Sequence, residues 1–184
     1  MGLTQRTGNF LFRDRRWQAL ALIFFLLVVG QSWQWVVRPP AVVPENLVWR
    51  EAERLGNRHD IDPGFIYAIA FAESSFDSNA RNQGARGVMQ ITKPAWREVS
   101  GQPFWRAWNW RMNLRVGVAY LDFCRELLVE ADSFSYPLLA ASYRFGPYAV
   151  REANYRMGNL PEPRNEIYQK LFAGELRPLP RPGD

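Results

Sequence analysis

A chain of 184 residues that is 47% hydrophobic and 15% aromatic can bury one core and carry an appendage, which excludes a disordered polar chain. The net charge of +5 is unevenly spread: residues 1–44 hold five arginines and one aspartate, whereas residues 45–184 hold 18 basic and 17 acidic side chains. The later part lacks the basic surplus that phosphate backbones demand, so no nucleic-acid partner is expected. One cysteine, Cys124, forbids an intramolecular disulfide, and its helical surroundings read as those of a buried structural thiol. One histidine, His59, leaves no Cys/His cluster for zinc and no support for a Ser-His or Cys-His triad. No metal or cofactor is expected.

Residues 1–16 form a basic N-terminus containing Arg6, Arg13, Arg15 and Arg16. Residues 17–37 follow without a charge, 21 residues or roughly 32 Å of helix, enough to cross a bilayer core. Trp17 at one end and Trp33 and Trp35 at the other suit its interfaces. The preceding arginines place the N-terminus in the cytoplasm and everything after the span on the far side. A cleaved signal peptide is the alternative, because the strongly apolar stretch 19–30 is short and ends in small residues at Gly30. Both readings export the remainder, but "QSWQWVV" resumes apolar character and favours a retained anchor. Residues 38–44, rich in proline, read as a stiff tether whose reach from Arg38 to Glu45 is at most about 27 Å.

The head, residues 45–184, reads as helical throughout. Residues 45–59 have helical spacing. Asp62 then offers an N-cap and Pro63 a first helical position. The run that follows is apolar nearly all round, so it is expected to be central and buried, and it ends in Glu73. Residues 76–86 are rich in Asp, Ser, Asn and Gly and read as a loop with at most a short β excursion. Further helices are expected over 93–100, 113–130, 133–145, 148–157 and 165–173, with an aromatic connection "WRAWNWRMN" and an extended tail "RPLPRPGD". No alternation is long enough for a sheet, so the fold class is all-α or nearly so.

A carboxylate closing so apolar a helix is costly to ionise. Either the helix runs out into solvent, or the cost serves chemistry that needs a protonated acid. Four segments decide between these. "AFAESSF", "GARGVMQIT", "NLRVGVAYL" and "ASYRFGP" resemble, in order and spacing, the blocks of the soluble-lytic-transglycosylase catalytic domain, over roughly residues 45–172.

The resemblance implies a goose-type, lysozyme-like fold and, as substrate, the β-1,4 bond between N-acetylmuramic acid and N-acetylglucosamine in peptidoglycan strands. It implies that Glu73 is the acid/base. Gly87, Met89 and Gln90 would line the glycan groove, Tyr143 would reach toward the carboxyl, and Tyr168 would close the cleft. It also implies a route with one carboxylate. The sugar's 2-acetamido group stabilises the anomeric centre, and Glu73 then takes the C6 hydroxyl proton so that a 1,6-anhydro ring closes. Most glycosidases use two carboxylates, and Asp77 is the lesser candidate for a second.

The chain departs from the family pattern at Arg144, where asparagine is usual, at Arg81 or Asn82, and at Arg164 with Glu166 nearby. Arg144 reads as a surface charge, and the tryptophans at 105, 108 and 110 as a satellite core. The expected setting is the inner membrane, single-pass, with the head in the periplasm. A short tether suggests recruitment by a secretion or conjugation apparatus that crosses the envelope. The alternatives are a lysozyme-type hydrolase on the same scaffold, or a non-catalytic glycan-binding scaffold.

Overall fold

The computed structural model describes residues 41–183. The anticipated basic N-terminus, span and first part of the tether lie outside these residues. No helix among the described residues is long and apolar enough to cross a membrane.

Helix α1, Glu45–His59, and helix α2, Pro63–Ser74, meet at a turn built by their end signals. Asp60 takes a left-handed conformation to end α1, and the Asp62 carboxylate begins α2 by accepting from the amides of Gly64 at 2.8 Å and Phe65 at 3.2 Å. Gly56 is required here, since a Cβ would stand 2.5 Å from the Ile61 carbonyl oxygen. As anticipated, α2 is sealed all round: every residue from Gly64 to Ala70 is buried.

Among the described residues, five further helices and two 3₁₀ turns complete the head. Helix α3 spans Lys93–Val99 behind the cap of Thr92, and a 3₁₀ turn, Phe104–Trp108, leads into the long helix α4, Trp110–Glu130. Helix α5, Tyr136–Phe145, breaks at Gly146 (φ 91°) into the short α6, Pro147–Glu152. After a 3₁₀ turn, Met157–Asn159, helix α7, Glu166–Phe172, closes the bundle against α2 and α5. Leu114, Val118, Leu121, Cys124 and Leu128 of α4 share one core with α2, α5 and α7. Burial pushes the Cys124 thiol up to about 12, which suits a packed structural thiol and not a nucleophile.

The β excursion is one antiparallel hairpin of two-residue strands, Arg81–Asn82 (β1) and Ala85–Arg86 (β2), in the register Arg81↔Arg86 and Asn82↔Ala85. Gln83 (φ 45°) and Gly84 (φ 89°) turn it with the double positive φ that a two-residue hairpin needs. The satellite core exists as Ile91, Trp96, Ala107 and Val116, but of the tryptophans at 105, 108 and 110 none is among its buried members, and Trp105 is exposed.

The expected tether boundary shifts. Residues 41–43 belong to the fold, because the Val43 amide bonds the Phe76 carbonyl at 3.0 Å and the Ser78 amide bonds the Ala41 carbonyl at 3.0 Å. Asp77 completes the clasp by accepting from the Ala41 amide at 2.8 Å. The carboxylate considered for a second catalytic role is therefore engaged in holding backbone.

At the other end the tail straps back across the start of α2. Arg177 reaches Asp62 at 2.5 and 3.0 Å, and Arg181 reaches Glu53 at 3.1 Å. Burial alone would raise the Asp62 carboxyl, but Arg177 and the two capping amides outweigh it and hold it below the usual range. Asp62→Ala is expected to cost about 1–2 kcal/mol through loss of the cap. The reading is the urea midpoint of residues 39–184. The cost should shrink as pH falls through the lowered carboxyl pKa, because protonation already weakens the cap in the parent.

Candidate active site

Glu73 occupies the last turn of α2, where the helix dipole disfavours a negative charge, and its side chain is 9% exposed. Burial raises its proton affinity above that of an ordinary glutamate, against the opposing pull of Tyr168 and Arg144. Burial wins. The cost recognised in the sequence is thus real in the fold.

Two side chains face one oxygen of this carboxyl. The Tyr168 hydroxyl, fully buried, donates to Glu73 Oε1. Arg144 brings Nη1 to 3.6 Å from the same oxygen, with its guanidinium carbon 5.3 Å from the centre of the Tyr168 ring. Burial and the neighbouring Glu73 charge hold the Tyr168 hydroxyl well above its usual range, so it stays a proton donor at neutral pH. Its position is set by Asn165, whose Oδ1 caps α7 through the amides of Ile167 and Tyr168 while Nδ2 reaches the Ala72 carbonyl at 3.4 Å. One side chain thereby links the start of α7 to the end of α2.

Tyr143 is also turned inward, but its hydroxyl donates to the Met89 carbonyl at 2.7 Å and not to Glu73. The segment it holds is fastened from several sides. Gly87 has φ 74°, and a Cβ there would lie 2.5 Å from Asn113 Nδ2 and 2.6 Å from the Ala107 carbonyl oxygen. Asn113, fully buried at the start of α4, accepts from the Met89 amide at 2.8 Å and donates to the carbonyls of Arg86 at 2.8 Å and Ala107 at 2.9 Å. The Ser74 hydroxyl, next to Glu73, donates to the Val88 carbonyl at 2.8 Å.

The structure gives two of the side chains that the resemblance places in the groove duties within the loop itself. Met89 is fully buried and packs on Gly117, where a Cβ would stand 2.7 Å from Met89 Cγ, so its side chain is filler beneath the loop. Gln90 spends both amide protons on the carbonyls of Ala80 and Gly87, each at 2.9 Å, and so shapes the loop. Asp77 makes no contact with Glu73; besides Ala41 it accepts from the Asn79 amide at 2.9 Å. Among the described residues no cluster of His, Cys, Asp and Glu could hold a metal ion.

One buried carboxyl of raised proton affinity, a neutral hydroxyl donor against it and a rigid glycine loop beside it make a site for proton transfer. Residues 50–164 match the Transglycosylase SLT domain. The chain belongs to this family. A solved structure similar to it is that of an inactive mutant of lytic transglycosylase Slt from Pseudomonas aeruginosa, with 24% identity and a TM-score of 0.50. The match covers 67% of this chain and 20% of that one, so the likeness is one of fold. No curated protein matches. The lysozyme-like expectation for the fold accords with this likeness. The residues that sequence reasoning passed over are Asn113 and Ser74 within the matched domain and Asn165 just beyond it, together with Arg144, taken for a surface charge. A polar residue on the apolar face of α4 is the one signal that pointed to Asn113.

Proposed function

We propose that this SLT domain is a peptidoglycan lytic transglycosylase with Glu73 as its single acid/base. The observation that carries the reading is a carboxyl buried to 9% exposure, raised in proton affinity and held by the Tyr168 hydroxyl. As acid, Glu73 gives its proton to the glycosidic oxygen while the carbonyl oxygen of the muramic 2-acetamido group bonds to C1, so the leaving sugar departs as an alcohol. As base, the carboxylate takes the proton of the C6 hydroxyl, and O6 displaces the acetamido oxygen from C1. The 1,6-anhydro ring closes and Glu73 is again protonated. Tyr168 fixes the carboxyl through both steps and is itself too poor an acid to compete.

The setting belongs to the same proposal. The charge-free segment 17–37 anchors the chain in the inner membrane, with the domain in the periplasm. The fold claims the chain from Ala41 onward, close behind the segment that anchors it. An enzyme so confined acts on strands near the membrane or on strands offered by an envelope-spanning secretion or conjugation apparatus.

Mass spectrometry of sacculi digested by the full chain tests the chemistry. Products ending in 1,6-anhydro-muramic acid are expected. Reducing ends would make the protein a lysozyme-type hydrolase, and no release with intact binding would make it a glycan-binding scaffold.

A further inference from the structure

Arg144 stands at the C-terminal end of α5, where a cation is favourable, and its side chain is 44% exposed. Its ion pair with Glu73 is loose: at 3.6 Å it is longer than a good hydrogen bond, whereas Arg177 grips Asp62 at 2.5 Å. The guanidinium therefore lies over the Tyr168 ring at the border of the buried site, on a side chain that is nearly half open to solvent. Its charge favours the ionised form of Glu73, which is the wrong form for an acid that must first donate a proton. Two demands conflict in one contact. A second anion arriving from solvent would resolve them by taking Glu73's place beside the guanidinium, since arginine pairs readily with carboxylates in this geometry.

Glycan strands differ in whether they bring such an anion. Muramic strands carry carboxylates on the lactyl group or on the peptide attached to it, whereas strands of N-acetylglucosamine alone carry none. Resting on the function proposed above, we infer that Arg144 is a specificity-determining residue that reads a carboxylate on the bound strand and, in turning to it, releases Glu73 to take up its proton. The groups facing Glu73 are Tyr168 from α7 and Arg144 and Tyr143 from α5. Both hydroxyls are held well above their usual range, so neither gives up its proton in competition with Glu73.

The experiment uses the full chain in detergent with two substrates: glycan strands bearing stem peptides, and the same strands with their carboxylates converted to methylamides. For wild type, kcat/KM should favour the charged strand by about tenfold, equivalent to ~1.4 kcal/mol. Arg144→Gln should reduce that preference to under about twofold, and Arg144→Lys, which keeps the charge, should retain part of it. On the neutral strand, Arg144→Gln should also move the alkaline limb of kcat/KM to higher pH, because a carboxyl freed of its cation keeps its proton longer. A preference identical in all three proteins, or an alkaline limb that does not move, overturns the inference. Absence of turnover by wild type on either strand overturns the transglycosylase reading itself, and this inference with it.

Discussion

Glu73→Gln should lose at least about 10³-fold in turnover of sacculi while melting higher than the parent at neutral pH. The first effect follows from the two duties of one group. Each positioned proton transfer contributes about 10²–10⁴-fold, and an amide neither donates as an acid nor accepts as a base. The second follows from linkage. Burial raises the folded-state proton affinity of Glu73, so the stability attached to its protonated form is fully present below the unfolded carboxyl pKa of about 4.3 and is lost as pH rises through the higher folded value. As pH rises through that folded value the parent takes on the cost of an ionised, buried carboxylate, offset in part by Tyr168 and the half-open Arg144. The amide carries none of it and still accepts from Tyr168. A gain of about 0.5–2 kcal/mol is expected, or roughly 2–4 °C in Tm per kcal/mol for a domain of this size. Thermal melts of residues 39–184 at pH 4 and pH 7 should show the gain growing with pH. A Gln variant that still cleaves, or that melts below the parent at pH 7, would remove Glu73 from the centre of the site.

Local signals carried much of this into the sequence. Asp62 and Pro63 marked the start of α2, and the apolar run behind them marked both its burial and the oddity of Glu73. Where boundaries moved, a competing local signal had won. Helix α4 begins at Trp110, not at 113, because the Asn109 side chain caps the Met112 amide at 3.0 Å. Helix α5 begins at Tyr136 because Ser135, followed by Pro137 in the first turn, is the cap that the earlier Ser133 resembles. The helix expected over 148–157 stops at Glu152, since Asn154 and Tyr155 both turn left-handed at φ 54°. Nothing in the local pattern announces that for a tyrosine.

The site was legible as a set of residues but not as a set of contacts. Tyr143 and Tyr168 were both expected near the carboxyl, yet which hydroxyl meets Glu73 and which meets the Met89 carbonyl depends on how α5 and α7 dock. Arg144 was misread for the same reason. Its partners, Glu73 and Tyr168, come from helices distant in sequence, and no periodicity within α5 distinguishes a cation at a buried carboxyl from one in solvent.

Asn113→Ala is expected to do the greatest damage to the fold of any single truncation near the site. The amide is wholly buried, and its removal leaves three backbone groups without their partner: the Met89 amide and the carbonyls of Arg86 and Ala107. Each buried group left unsatisfied costs about 1–3 kcal/mol, and relaxation or an entering water recovers part, so a loss of about 3–5 kcal/mol is expected from urea unfolding. That is a large share of the roughly 5–15 kcal/mol that holds a domain together. Activity should fall as well, because the same loop presents the Met89 carbonyl to Tyr143 and the Val88 carbonyl to Ser74 beside Glu73. Asn113→Asp separates lost hydrogen bonds from lost volume. It keeps the acceptor for the Met89 amide and nearly the same shape, but sets a carboxylate against two carbonyl oxygens. The new carboxyl is buried and its proton affinity is raised in the fold, so stability should be greatest at low pH, where it donates to one carbonyl, and should decline toward neutrality. If Asn113→Ala costs under about 1 kcal/mol, or if Asn113→Asp shows no such decline relative to the parent, the loop is held by packing on Gly117 and the hydrogen bonds of Asn113 are incidental.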